Sequence, residues 1–247
     1  MSTYYKVNNM FYAAVDEDRI LFGNPKLLAM PCVDVEVIDD LIYINNVSHN
    51  ISCNIENNLG NGELGTVCMI NTVIGFVLQL YPNCKRIELS DTSGFIDKVN
   101  GRSTNLADRD MFLYKKTWYQ RKFPFFKLKP KDKLAKQRIH ELLTKLDSKP
   151  SRQDCNAIGI DPASTTLLDG IANIKDDVYS VIQKAMYVYG IPSLFGMPFI
   201  GKIPDVRTTL TVSFKQIKHP KHPKASKLRA QWGGDTNNHF RHITWME

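Results

Sequence analysis

The stretch from Ile51 to Ser93 constrains the fold more than any other part of the chain. It reads as a short strand, a glycine-rich turn, an amphipathic helix, a Pro-containing turn and a second strand. Ile51 to Ile55 is the first strand, and Gly60, Gly62 and Gly65 stand where strand gives way to helix. Such a turn leaves backbone N–H groups unpaired at a helix N-terminus, where phosphate or another anion binds. Val67, Ile70, Val73, Ile74, Val77, Leu78 and Tyr81 recur at three and four residues, giving the helix one apolar face. Thr66 suits its cap and Pro82 its stop. Lys85 to Ser90 then sets Arg86 and Glu88 against Ile87 and Leu89, the alternation of a half-buried strand. A strand–helix–strand unit of this length implies a right-handed crossover and an α/β-type layer.

The flanks extend this layer. Asp34 to Ile38 alternates acidic and apolar residues, Asp39-Asp40 offers a turn, and Leu41 to Ile44 is the partner strand of a hairpin. Downstream, Leu106 to Phe123 reads as one helix, with Asp108 and Asp110 in its first turn and Lys115, Lys116, Arg121 and Lys122 towards its end. Asp132 to Leu146 is a basic amphipathic helix with Leu134, Ile139, Leu142, Leu143 and Leu146 on its buried side. Ser148 to Asp154 reads as a linker, Asp161-Pro162 as a helix start, and Lys175 to Tyr189 as a helix stopped by Gly190. Residues 190–204 form a structured non-helical segment, and Thr208 to Lys215 a strand.

Charge narrows the classes of partner. The 247 residues suffice for one large domain or two small ones. Residues 1–114 carry 8 Lys and Arg against 14 Asp and Glu, whereas residues 115–152 carry 13 against 3 and residues 202–247 carry 9 against 3. Two basic blocks in an otherwise acidic chain point to a polyanionic partner, or to solvated faces that dock on the acidic half. No apolar run approaches the ~20 residues that cross a bilayer, so no membrane partner is expected. The N-terminus lacks a secretory pattern, and Cys32, Cys53, Cys68, Cys84 and Cys155 are scattered without a CxxC. Reduced thiols in an intracellular compartment are the expectation.

The order of hairpin, strand, glycine turn, helix, strand ending at Asp91 and helix ending in Thr117-Trp118-Tyr119-Gln120-Arg121-Lys122-Phe123 resembles the GNAT family of N-acetyltransferases. The resemblance is to the divergent GNAT-like proteins of large nucleocytoplasmic DNA viruses, and it covers roughly residues 33–128. It implies an α+β fold: a mixed sheet with a GNAT-like core and a helical, basic C-terminal region. The implied segments are a core at 1–128, a basic helix and linker at 129–150, and a helical/β region with a basic aromatic tail at 151–247. It further implies acetyl-CoA as acyl donor, an amine substrate, and a setting in host cytoplasm or virion. Gly62, Gly65 and Thr66 would hold the pyrophosphate of acetyl-CoA, and Tyr119 would protonate the departing thiolate.

Other readings of the same residues stay open. Gly60, Gly62 and Gly65 also spell GxGxxG, although about 50 residues of β-like chain precede them, unlike the first unit of a dinucleotide fold. Glu63 could act as a base or bind an amine, or simply favour the helix dipole. Tyr114 and Tyr119 read equally as core or rim aromatics. The pairs His219/His222 and His239/His242 lack cysteine neighbours and sit in positive surroundings, so no metal is expected. The alternative function is nucleic-acid binding without catalysis, or a virion-associated role. Its residues are the 115–136 block together with Lys215, Lys218, Lys221, Lys224, Lys227, Arg229, Trp232, Arg241 and Trp245 in 214–245. There, cations that neutralise phosphate alternate with rings that stack on bases.

Overall fold

Alternating side chains build the first half. In a computed structural model, residues 2–8, 11–23, 31–47, 62–91, 94–96, 103–203 and 212–217 are described. Five strands follow one another: β1 (Thr3–Val7), β2 (Phe11–Asp16), β3 (Arg19–Gly23), β4 (Val33–Ile38) and β5 (Leu41–Val47). Each pairs antiparallel with the next. The two-residue turns Glu17-Asp18 and Asp39-Asp40 each open with a left-handed residue, Glu17 at φ 51° and Asp39 at φ 54°. That conformation matches the twist of the strands a tight hairpin joins. The hairpin expected from Asp34 to Ile44 is therefore present, embedded in a longer meander.

The described residues divide into two compact units, one up to Leu89 with 200–203 and 212–217, the other Ser90–Phe199. The whole is α+β, with a large mixed sheet and, among the described residues, seven helices. In the first unit the strand order is β11-β1-β2-β3-β4-β5-β6-β10, where β6 is Arg86–Ser90, β10 is Pro198–Lys202 and β11 is Phe214–Ile217. Helix α1 (Gly62–Leu80) links β5 to β6, which run parallel as the crossover requires. Lys85 and Arg86 both donate their N–H to the Asp40 carbonyl, and the Arg86 guanidinium bonds the Asp40 carboxylate, which aligns the start of β6 with the β4–β5 turn.

Helix α1 is buried over more of its circumference than one apolar stripe predicts. Met69, Ile70, Thr72, Val73, Ile74, Phe76, Val77 and Leu78 are all buried. The cause is a cover that local periodicity cannot register. Gln79 Nε2 donates to the Val212 carbonyl at 2.9 Å, and Phe76 meets Phe214 edge-on at 5.0 Å, so the chain leading into β11 lies against the helix. Phe76 also meets Tyr5 at 5.4 Å and Phe22 at 5.5 Å.

The second unit holds β7 (Gly94–Ile96) paired with β8 (Ser103–Asn105), then α2 (Leu106–Tyr114), α3 (Trp118–Lys122), β9 (Phe126–Leu128), α4 (Lys133–Leu146), α5 (Arg152–Ile158), α6 (Leu167–Ala172) and α7 (Val178–Tyr189). The single helix expected over Leu106 to Phe123 is two. Lys115 turns left-handed at φ 57° and closes α2 with its N–H on Met111 O, and Thr117 with Gln120 forms a capping box that starts α3. The other expected boundaries move for the same local reason, a side-chain oxygen taking an orphan N–H. Ser151 caps α5 inside the expected linker, Thr166 rather than Asp161 caps α6, and Asp177 starts α7 three residues later than Lys175. Leu134, expected on the buried side of α4, is 57% exposed; Ala135, Ile139, Leu142 and Leu146 form that side.

Cys68, Cys84 and Cys155 are free, but Cys32 is disulfide-bonded, which corrects the expectation of five reduced thiols. The expected strand at Ile51 to Ile55, Gly60, Cys53 and residues 208–211 of the expected Thr208 to Lys215 strand lie outside the described residues. Strand β11 begins at Phe214.

Candidate functional site

In the first unit the parallel pair is where backbone groups leave the ladder. The β5–β6 register runs from Leu41↔Arg86 to Ile44↔Leu89, three residues short of the end of β5. On its other edge β5 pairs with β4 as far as Val33↔Val47, but Asp34 faces Asn46 while Val35 faces Ile44. Asn45 is thus the extra residue of a β-bulge, and it is the first residue beyond the parallel register. A bulge bends its strand, increases the twist and releases backbone groups from pairing.

Helix α1 brings a second set of backbone donors to that end of the sheet. Its C-terminal side is tied to the opposite end, where the Tyr81 hydroxyl donates to the Glu17 carbonyl in the β2–β3 turn at 2.7 Å. The N-terminus of α1 therefore lies towards the carboxyl ends of β5 and β6, the end at which open α/β layers bind ligands. The N–H groups of residues 62–65 have no acceptor within the helix, and the helix dipole places partial positive charge there. Gly62 and Gly65 carry no side chain to hold an anion away from these donors. Gly62, Glu63, Gly65 and Thr66 are all helical, so the expected turn is the first turns of α1 itself. Thr66 is a buried residue of the helix interior and not its cap. The N–H groups at this positive helix end suit an anion, and the negative charge of Glu63 in the same turn opposes one.

Tyr119 belongs to the second unit and sits at the second position of α3. It is 7% exposed, with its ring against Trp118, Phe123, Phe126 and Phe199. Burial, with the Asp91 carboxylate nearby, raises its pKa far above the ordinary tyrosine range, so the hydroxyl keeps its proton. Tyr114 is half exposed and lies beneath the Arg121 guanidinium at 4.1 Å.

Two acids that composition assigned to the helix dipole have long-range roles. Asp108 Oδ1 accepts the Leu194 N–H at 2.6 Å and Oδ2 accepts the Ser193 hydroxyl at 2.8 Å, clamping α2 to the segment before β10. Burial raises the Asp108 pKa, while the bonds from Leu194 and Ser193 act in the opposite direction. Asp110 is buried in an ion pair with Arg121. No sequence signal reaches these pairings for Asp108, whose partners are 85 and 86 residues away.

Nine of the 13 basic residues of 115–152 fall into two groups. Lys115 pairs with Asp147, Arg121 with Asp110, Arg138 with the Gly190 carbonyl, and Lys145 lies over the Tyr189 ring at 4.8 Å. Lys127, Lys129, Lys131, Lys133 and Lys136 are exposed and have no ion pair among the described residues. Of the tail residues, Lys215 is exposed on β11, opposite Lys6; Lys218, Lys221, Lys224, Lys227, Arg229, Trp232, Arg241 and Trp245 lie outside the described residues. Among the described residues no group of three or more His, Cys, Asp or Glu side chains could hold a metal ion. None of the helices is long and apolar enough to cross a membrane, among the described residues. No family model, curated protein or solved structure matches the chain.

Proposed function

We propose that the first unit binds acetyl-CoA at the carboxyl ends of β5 and β6 and passes the acetyl group to an amine, as the GNAT resemblance implies. The observation that carries this reading is the coincidence of the Asn45 bulge, the end of the parallel register at Ile44↔Leu89 and the amino end of α1. Bound there, the thioester supplies an acetyl group to a substrate amine, with a C–N bond forming as the C–S bond breaks and the thiolate leaving. The N–H groups of residues 62–65 hold the diphosphate. The extended backbone of Asn45, Asn46 and Val47 offers strand-like hydrogen bonds to an amide-bearing arm. A fixed N–H at the bulge is suited to stabilise charge developing on a carbonyl oxygen.

The test exploits opposite signs. Gly62→Glu places a carboxylate in the first turn of α1, where it favours the helix dipole yet repels a diphosphate. Wild-type protein is expected to gain thermal stability from millimolar acetyl-CoA, about 2.7 kcal/mol at a hundredfold excess over the dissociation constant. Gly62→Glu is expected to melt as high without ligand and to gain nothing with it. No ligand-induced shift in the wild type removes the reading.

The role that the resemblance gives Tyr119 is tested separately. If its hydroxyl protonates the thiolate, Tyr119→Phe lowers kcat by about 10²–10⁴ with KM little changed. An unchanged kcat leaves Tyr119 a packing residue.

A further inference from the structure

We propose that the second unit binds the sugar–phosphate backbone of nucleic acid along a ladder of five lysines, Lys127, Lys129, Lys131, Lys133 and Lys136. This goes beyond acyl transfer and does not depend on it. The ladder begins on β9, where Phe126 is buried and Lys127 exposed, and the alternation continues past the strand. Leu128 and Pro130 are half-buried while Lys129 and Lys131 are exposed. Lys129 N–H donates to the Pro198 carbonyl at 2.9 Å, which fixes the backbone of this stretch within the second unit. Alternate residues of an extended chain lie on one side about 6.6 Å apart, so Lys127 on β9 and Lys129 just past it form the start of a row, and Lys131 follows at the bend before α4. A row of that period is comparable with successive phosphates along a nucleic-acid strand. Lys133 and Lys136 then continue it on the first turn of α4, at the positive end of the helix.

The neighbouring chemistry selects the partner. The single acid inside the ladder, Asp132, has its Oδ1 engaged by the Ala135 N–H at 2.7 Å. Lys115, Arg121, Arg138 and Lys145, outside the ladder, are held by Asp147, Asp110, the Gly190 carbonyl and the Tyr189 ring. An amphipathic helix that enters a membrane needs its apolar face free. The apolar face of α4 is instead part of the core with Phe112, Cys155 and Ile182. Lysine meets phosphate as a point charge and lacks the planar fork that reads base edges in pairs. Phe125, two residues before the ladder, is half-buried with its ring 4.8 Å from that of the buried Phe126. The ladder therefore recognises backbone charge and is indifferent to base sequence.

Fluorescence anisotropy of the full chain with labelled oligonucleotides of about 20 residues, single- and double-stranded, between ~50 and ~300 mM NaCl tests this. Binding is expected to weaken steeply with salt and to differ little among base compositions. The triple variant Lys129→Glu/Lys131→Glu/Lys133→Glu changes only exposed side chains. It is expected to lose at least about tenfold in affinity and to flatten the logarithmic salt slope by about 2 for single strands. Lys175→Glu/Lys184→Glu, which reverses two exposed charges elsewhere in the same unit, is expected to bind as the wild type does. Three outcomes would overturn the proposal: no binding at ~50 mM NaCl, full binding by a triple variant with an unchanged melting curve, or tighter retention on phosphatidylserine vesicles than on either oligonucleotide.

Discussion

Replacing Phe76 with alanine is expected to destabilise the protein by about 3–5 kcal/mol, the range for removing a fully buried aromatic ring. Phe76 has no exposed surface, and its ring meets Tyr5 of β1, Phe22 of β3 and Phe214 of β11 edge-on. Each such pair is worth about 0.5–1.5 kcal/mol beyond the area it buries. Because the three partners come from strands distant in sequence, collapse around the missing ring cannot be local, which favours the upper half of the range. For a chain of this size the midpoint should fall by roughly 6–20 °C. Phe76→Leu keeps most of the volume and is expected to cost about 1–2 kcal/mol. Urea melts followed by circular dichroism measure both. A loss below about 1 kcal/mol for the alanine variant would mean that α1 does not pack against these three strands.

Asp108→Ala should produce the second-largest loss, about 2–4 kcal/mol. The substitution removes two charge-assisted hydrogen bonds and leaves the Leu194 N–H buried without an acceptor, since Leu194 is itself 2% exposed. Asp108→Asn keeps a carbonyl oxygen for Leu194 and an amide that can donate to Ser193, so its cost is smaller. The two variants also differ in pH dependence. The folded-state pKa of Asp108 is raised, chiefly by burial. A raised carboxyl gives a contribution fully present below the ordinary carboxyl pKa and lost as pH rises through the folded value. The stability advantage of wild type over Asp108→Asn is therefore expected to shrink as pH rises from the ordinary carboxyl pKa through the higher folded one. Parallel stability profiles for the two proteins would show that the carboxyl titrates alike folded and unfolded.

The parts of the fold legible in the sequence are those whose cause is local. The β4–β5 hairpin follows from alternation and an Asp-Asp turn, and α1 and α4 from helical periodicity, whereas the parallel partner of β6 is β5 and the crossover strand expected at Ile51 to Ile55 lies outside the described residues. The break between α2 and α3 was hidden because Lys115 enters the left-handed region without glycine or asparagine to announce it. The burial of α1 depends on Val212 and Phe214, more than 130 residues on, which no window of the sequence contains. The candidate site was legible as a landmark, since Gly62 and Gly65 do mark the amino end of a crossover helix. Its chemistry was not, because the Asn45 bulge leaves no residue-type signature and is visible only as a register shift between two strands. Composition also counted the 115–152 lysines and arginines as one block, whereas geometry separates those with internal partners from those without.

The pairing of β1 with β11 has a consequence in time. Asn8 Oδ1 accepts the Ser213 N–H across 205 residues of chain, and Tyr4↔Ile217 to Val7↔Phe214 close the edge of the sheet beyond it. During synthesis the β1–β5 meander emerges early, yet the outer edge of β1 stays bare until β11 leaves the ribosome. At cellular elongation rates that interval is roughly 10–40 s. A bare strand edge in a crowded compartment is an invitation to pair with a neighbouring nascent chain. Lys6 sits in the middle of that edge, and in the finished protein it faces Lys215. Like charges directly opposite weaken a finished ladder slightly. The same charge repels an identical edge during the wait, so a small static penalty guards the most vulnerable stage of the molecule's birth.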